Sequence, residues 1–338
     1  MSNPGFQWTP PPSGGGGFDP SPAPLDESQL GRYRVVGKLG EGGMGHVFLV
    51  EDPLGRRFAL KTLQKVKGVH AQQALRRFQR EVELGQRLHH PGIQAIHDSH
   101  LEGLRPYVVA ELLDGGTLAE RLQGGPLPMG EVLRIGLGLA RALRYAHERG
   151  VVHRDLKPSN VLFRGEDPVL VDFGLAVSLG PNTIRLTMSG EVLGTPAYMT
   201  PEQAQGRGSD SPANDAYGLG LLLYLMLTAE NPLEFGGAAH MAAVLATILN
   251  EAPKPLRPRR PEISPSLERL VLALLSKDPR ERPTMDDVEV VLERLIEQPE
   301  RTRGWSPLAV LALLAGVSLS LAGGAWLARQ GSAPGPGP

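Results

Sequence analysis

The chain has no cysteine among its 338 residues, so it can have no disulfide framework, no thiolate nucleophile and no zinc–thiolate site. That is compatible with a reducing compartment. It also lacks a charge excess, with 35 basic against 36 acidic residues and a net charge of −1, so nothing in bulk points toward nucleic acid and no nucleic-acid partner is expected. The nine histidines show no HExxH spacing, which removes the usual zinc-hydrolase signature. Residues 1–30 have no basic start followed by an apolar core, so they are not a secretory signal. They are crowded with Pro and Gly (PPPSGGGG, then DPSPAP) and have no periodicity. Such a stretch cannot bury enough apolar surface to offset its ordering entropy, and a disordered arm is expected there.

A hydrophobic content of 41% is enough for one large two-lobed domain with appendages. From Tyr33 to about Leu113, short runs such as YRVVGKL, HVFLV, RFALKTL and YVVAEL are split by turn residues, with one helical stretch from about Ala71 to Leu88. This pattern predicts a mainly antiparallel sheet with a single helix. After Gly115 the period becomes helical, and VLRIGLGLARALRYAHERG over 132–150 runs to a terminal Gly150. Residues 216–227, AYGLGLLLYLML, are apolar all round but too short to span a bilayer, which predicts a helix buried at the centre of the second lobe. PKPLRPRRPEISP at 253–265 is read as a connecting loop rather than an exposed PxxP ligand, because helices resume at Leu267.

The segment Leu308–Ala328 has 21 residues without a charge, about 32 Å as a helix against about 30 Å of hydrocarbon. It is expected to be a single membrane span, joined to the folded domain by a linker at 299–307 and followed by a tail at 329–338 too short to fold. Arg301 and Arg303 stand on the side of the folded domain and Arg329 on the other, so the positive-inside asymmetry puts that domain in the cytoplasm. Ala312, Gly316, Ser320, Gly324 and Ala328 recur at spacing four and could form the small-residue face of a homodimer.

Chemistry-bearing motifs occur in a fixed order. Leu39–Val47, LGEGGMGHV, fits GxGxxGxV between two strand-like runs, so it suits a β-hairpin lid rather than the strand-to-helix turn of a dinucleotide fold. FALK follows at 58–61, HRDLKPSN at 153–160 and DFG at 172–174. The last two supply one carboxylate to meet a substrate hydroxyl, and an Asn with a second carboxylate to hold Mg²⁺. GTPAYMTPEQ at 194–203 and DPRERPT at 278–284 complete the set. Over roughly residues 33–297 the chain resembles a bacterial membrane-anchored eukaryotic-type Ser/Thr protein kinase.

The resemblance implies an α+β, bilobal kinase domain at 31–298, with an antiparallel N-lobe of one helix over about 33–113 and a helical C-lobe over about 114–297. MgATP would bind beneath a lid of Leu39, Gly40, Glu41, Gly42, Gly43, Met44, Gly45, His46 and Val47, against Ala59 and Leu162. Lys61 would contact the α and β phosphates. Glu81 would pair with Lys61, although Arg77 one turn earlier is an equally available partner. Ala110 would be a small gatekeeper, and the backbone from Glu111 to Leu113 would hold the base. Asp155 would orient the acceptor hydroxyl and take its proton, Lys157 would steady the γ-phosphoryl group, and Asn160 and Asp172 would bind Mg²⁺. Lys157, two positions after Asp155, suits Ser/Thr acceptors. His153 would hold the loop backbone. Thr195 would line the acceptor site, and Thr200 departs mildly from the commoner Ala or Ser before Pro-Glu. Glu202 would form a buried bridge with Arg282. Asp215 would contact the catalytic loop, a role compatible with that of a helix N-cap. Arg154 suits a phosphate on the activation segment, with Thr187, Ser189 and Thr183 as autophosphorylation candidates. The rival readings are a pseudokinase-like scaffold and a small-molecule phosphotransferase. Intact Lys61, Asp155, Asn160 and Asp172 disfavour the first, and GTPAYMTPEQ, which favours protein acceptors, disfavours the second.

Overall fold

Alternating burial builds the first sheet. In the computed structural model, which describes residues 28–42, 45–62, 79, 82–101, 106–173, 196–207, 211–235 and 241–298, six antiparallel strands stand in the order β1-β2-β3-β4-β6-β5. They are β1 (Gln29–Leu30), β2 (Tyr33–Gly42), β3 (Gly45–Glu51), β4 (Arg57–Thr62), β5 (Ile96–His100) and β6 (Tyr107–Glu111). Phe48, Val50, Leu60 and Val109 point into one core with Tyr33 and Tyr107, whose rings meet edge to face at 6.3 Å. Successive side chains alternate between faces, so the residues between these form the opposite face, which roofs the cleft. Val47 pairs with Lys61, and Ala59 with Ala110.

The glycine-rich run is the expected hairpin: β2 continues to Gly42, which pairs with Gly45 at the start of β3. Two register shifts, at Val35/Gly37 and Lys38/Gly40, bend β2 on the way. One boundary differs from the sequence reading. Gln29 and Leu30, assigned to the disordered arm, pair with Arg34 and Tyr33 as a short edge strand, and Leu30 is buried. A single apolar residue filling a gap beside Tyr33 is invisible in a composition window dominated by Pro and Gly. The expected N-lobe helix is present at 82–85; most of its remaining length, with Glu81, lies outside the described residues.

The C-lobe is organised by α4 (Pro212–Thr228), in which every residue from Asn214 to Leu227 is buried. The all-round apolar run is therefore the central helix that the sequence predicts. Around it stand α1 (Leu118–Arg121), α2 (Met129–His147), α3 (Pro201–Ala204), α5 (Met241–Asn250), α6 (Pro265–Leu274) and α7 (Met285–Glu297), with the hairpin β7 (Val161–Arg164) and β8 (Asp167–Leu170) on the cleft side. Helix α2 buries Val132, Ile135, Leu139, Ala142, Leu143 and Ala146 along one stripe and closes at Gly150, whose φ of 71° and N–H to the His147 carbonyl end the helix.

Close approach demands glycine at Gly218. A Cβ there would lie 2.7 Å from Leu156 Cβ, so its absence lets the catalytic loop rest on α4. The 253–265 stretch is a connecting loop, as expected; its prolines Pro255, Pro258 and Pro261 are exposed while Leu256 and Ile263 are buried, and Arg260 Nη1 donates to the carbonyls of Leu127 (2.8 Å) and Leu227 (3.1 Å). Among the described residues no helix is long and apolar enough to cross a membrane, and 308–328 lies outside them.

Candidate active site

The loop between α2 and β7 carries the HRDLKPSN residues, and its own polar atoms shape it. Lys157 Nζ donates to Asp155 Oδ2 at 2.6 Å, while Asn160 Nδ2 donates to the Asp155 carbonyl at 2.8 Å and to its Oδ2 at 3.0 Å. The Val171 N–H donates to the Asn160 carbonyl at 3.0 Å, which sets the following Asp172 beside this group. Asp172 Oδ2 accepts from Lys61 Nζ, arriving from β4, at 2.7 Å. Two lobes thus contribute to one cluster of two cations, two carboxylates and an amide. Burial acts to raise the Asp172 pKa, but the charge and hydrogen bond of Lys61, aided by Lys157, outweigh it and hold the carboxyl below its ordinary range.

Two backbone positions here are strained. Arg154 and Asp172 adopt φ of 70° and 62°, a left-handed conformation that costs a non-glycine residue about 1–3 kcal/mol and persists only where surroundings over-determine it. For Arg154 the cause is visible. Asp215, buried inside the first turn of α4, accepts the N–H groups of His153 and Arg154, each at 2.8 Å, and His147 Nε2 at 2.7 Å. The N-cap role considered for Asp215 belongs instead to Ser211, whose Oγ accepts the Ala213 N–H; Asp215 serves the catalytic loop and the last residue of α2. Its three donors come from α2 and from the loop, and no local pattern announces them.

His153 is buried and structural, as expected. Its Nδ1 accepts the Asp155 N–H at 3.3 Å, leaving Nε2–H to donate to the Val171 carbonyl at 2.9 Å, and its ring lies 4.7 Å from that of Phe173. This one imidazole connects the HRD and DFG segments.

Of the lid, Leu39, Gly40, Glu41, Gly42, Gly45, His46 and Val47 form the β2–β3 hairpin, whose tip carboxylate Glu41 accepts from Lys38 Nζ at 2.6 Å. That contact lowers the Glu41 pKa. Val47, Ala59, Ala110, Leu113 and Leu162 are only half-buried despite being small or apolar, as suits the walls of a cleft. Gly43, Met44, Glu81, Thr183, Thr187, Ser189 and Thr195 lie outside the described residues.

The 196–203 stretch is fastened to the catalytic loop. Thr200 caps α3 in a reciprocal box with Gln203, its hydroxyl donates to Asn214 Oδ1 at 2.9 Å, and Gln203 Nε2 donates to the Arg154 carbonyl at 2.8 Å. A hydroxyl at this position thus serves as a cap. The Glu202–Arg282 bridge is present and bidentate, at 2.7 and 3.2 Å, with the Arg282 side chain fully buried.

Among the described residues no group of three His, Asp or Glu forms a self-sufficient metal site. Mg²⁺ bound to nucleotide needs no such group, since it takes one or two protein oxygens and completes its shell with phosphate and water. Asn160 uses its amide N–H groups on Asp155, so Oδ1 is the atom left to face a cation, and Asp172 supplies the carboxylate. The donor set fits a hard divalent ion.

A bilobal domain with a glycine hairpin above a Lys, Asp and Asn cluster is the architecture of a nucleotide-dependent phosphotransferase. The Protein kinase domain family model matches residues 33–291, and the chain belongs to that family. It is 38% identical over 262 residues to the serine/threonine-protein kinase pkn2 of Myxococcus xanthus, covering 75% of this chain and 31% of that protein. It is 36% identical over 263 residues to PrkC of Bacillus subtilis (77% and 40%) and 37% identical over 259 residues to PknJ of Mycobacterium tuberculosis (75% and 43%). The chain therefore spans less than half the length of these relatives. A crystal structure of a mutant PknI kinase domain from Mycobacterium tuberculosis superposes with a TM-score of 0.62 at 28% identity, covering 80% of this chain and 98% of that one.

Proposed function

We propose that the chain is a bacterial eukaryotic-type Ser/Thr protein kinase, which transfers the γ-phosphoryl group of MgATP to Ser or Thr hydroxyls of protein substrates. The observation that carries this reading is the convergence of Lys61–Asp172 with Lys157–Asp155–Asn160 under a glycine hairpin. Bound MgATP supplies the phosphoryl donor and the divalent charge that neutralises it, with Asn160 and Asp172 as the residues that hold the ion. Lys61, which bonds the Asp172 carboxylate, would hold the α and β phosphates. Asp155 accepts the hydrogen bond of the acceptor hydroxyl and then its proton, while Lys157, already on the same carboxylate, offsets charge on the transferred group. Alignment and charge neutralisation dominate, and proton abstraction is secondary.

Labelled-ATP transfer to a generic Ser/Thr acceptor tests the reading. Wild type should transfer phosphate and Asp155→Asn should not, while both bind nucleotide. No transfer by either protein would favour the scaffold.

The regulatory reading rests on sequence alone. The arm, kinase domain, linker, span and tail divide as 1–30, 31–298, 299–307, 308–328 and 329–338. The 308–328 segment tethers the kinase to the cytoplasmic face of a membrane, and its small residues offer a homodimer contact. Thr187, Ser189 or Thr183 takes an autophosphate that Arg154 binds. Resistance of the full chain, but not of a 1–307 truncation, to alkaline extraction from membranes would support the tether; equal release of both would end it.

A further inference from the structure

Glu111, the last residue of β6, is held from every side. Its N–H donates to the Ala95 carbonyl at 2.9 Å, and its own carbonyl accepts from Gln94 Nε2 at 2.8 Å. Its carboxylate receives a fork from Arg164, with Nε to Oε1 at 2.8 Å and Nη2 to Oε2 at 2.7 Å. The remaining guanidinium nitrogen, Nη1, donates to the Pro91 carbonyl at 2.8 Å. One side chain at the end of β7 in the C-lobe therefore ties together the last N-lobe strand and the loop that precedes β5.

The surroundings make this more than a surface ion pair. Glu111 and Arg164 border a recess of about 300 Å³ lined also by Leu88, His90, Ile93 and Ile96, and the pair is 25% and 42% exposed. Burial acts to raise the Glu111 pKa, yet the Arg164 fork prevails and lowers it. Further along, the chain leaving β6 is stitched to the same strand, with Gly115 N–H donating to the Phe163 carbonyl and Phe163 N–H to the Gly116 carbonyl, each at 3.1 Å. Leu162, the half-buried residue proposed to lie against the base, is two positions before Arg164 and so on the same face of β7.

We propose that Arg164 is a positioning residue for the nucleotide: its fork on Glu111 locks the inter-lobe linker against β7, so that the base meets backbone groups already in place. This rests on the kinase reading above. Gln94 engages one lone pair of the Glu111 carbonyl and orients it, and a carbonyl has a second lone pair for a ligand N–H. A linker fixed before binding avoids the ordering cost that association would otherwise carry. The fork requires the planar guanidinium, because a lysine offers a point charge and cannot bond both oxygens and Pro91 at fixed angles. Since Arg164 shares no partner with Asp155, Lys157 or Asn160, its effect belongs in nucleotide affinity rather than in turnover.

The test uses the full chain and compares Arg164→Ala, Arg164→Lys, Glu111→Gln and the Arg164→Ala/Glu111→Gln double variant. The readouts are KM for ATP, kcat, direct binding of a fluorescent ATP analogue with Mg²⁺, and Tm. Arg164→Ala should raise both KM and the analogue Kd about fivefold, as expected for a half-exposed bidentate pair, with kcat changed less than about twofold. Arg164→Lys should recover only part of the affinity, and the double variant should be no weaker than Arg164→Ala alone. Unchanged affinity in Arg164→Ala, full rescue by lysine, or additive losses in the double variant would each overturn the proposal. Should Arg164→Ala fail to fold, the lysine variant against Glu111→Gln carries the same comparison. Absence of phosphotransfer by wild type would sink the kinase reading and leave the analogue-binding readout to judge the latch.

Discussion

Two Arg–Glu forks with nearly the same geometry sit in very different surroundings. Arg282 and Glu202 meet at 2.7 and 3.2 Å with side chains 0% and 13% exposed, whereas Arg164 and Glu111 meet at 2.7 and 2.8 Å with 42% and 25% exposed. Arg282 also donates to the carbonyls of Ser276 and Ala213 and lies 5.0 Å from the Tyr217 ring. Its side chain is shielded from solvent. Distance alone is therefore a poor guide to what a fork does, because burial decides whether losing one partner strands a charge. The C-lobe fork holds the fold, and the fork at the linker holds a position.

The sharpest way to break this comparison is Glu202→Ala. It would leave the Arg282 guanidinium buried and unpaired, and should cost about 3–5 kcal/mol in denaturant unfolding; a loss below about 1 kcal/mol would mean that water reaches Arg282. Asp215→Ala extends the contrast to a carboxylate serving backbone. Stranding the His153 and Arg154 N–H groups should cost about 1–3 kcal/mol in stability, with the further consequence that Arg154 can leave its left-handed conformation and phosphotransfer falls. Thr200→Ala removes a helix cap beside Glu202 and should cost about 1 kcal/mol, while Thr200→Ser should stay near wild type by thermal melting.

Acid titration probes the active-site pair by sign. Because the Asp172 pKa is depressed, Lys61–Asp172 contributes stability in full above the ordinary value of 3.8, and loses it as pH falls through the lower folded-state value. Asp172→Asn should flatten that acid-side decline in a pH series of unfolding midpoints. Its side chain is a third exposed, so the effect is modest. The smallest stability effect belongs to Arg164→Ala, below about 1 kcal/mol, even though it should weaken nucleotide binding about fivefold.

Much of the site was legible because its chemistry is contiguous. HRDLKPSN places Asp155, Lys157 and Asn160 within one loop, so local hydrogen bonds alone bring them together. The glycine hairpin and the all-apolar α4 were legible for a similar reason, since period and turn chemistry act over a few residues. Leu30 was missed because its burial depends on Tyr33 and a sheet edge rather than on its neighbours' composition. The Arg164–Glu111 fork spans 53 positions and looks in sequence like two ordinary surface charges. The Glu202–Arg282 bridge, 80 positions apart, was anticipated only through family resemblance.

Sequence by itself determined which groups are available for chemistry and which segments form strands and helices, because side-chain type and short-range periodicity are local properties. Tertiary structure decided that Asp215 serves the loop backbone rather than a helix end, that Thr200 is a cap, and that one Arg–Glu fork is dry while its counterpart stays wet. Those outcomes depend on what packs against a side chain from distant parts of the chain, and solvent exclusion is a property of the assembled core.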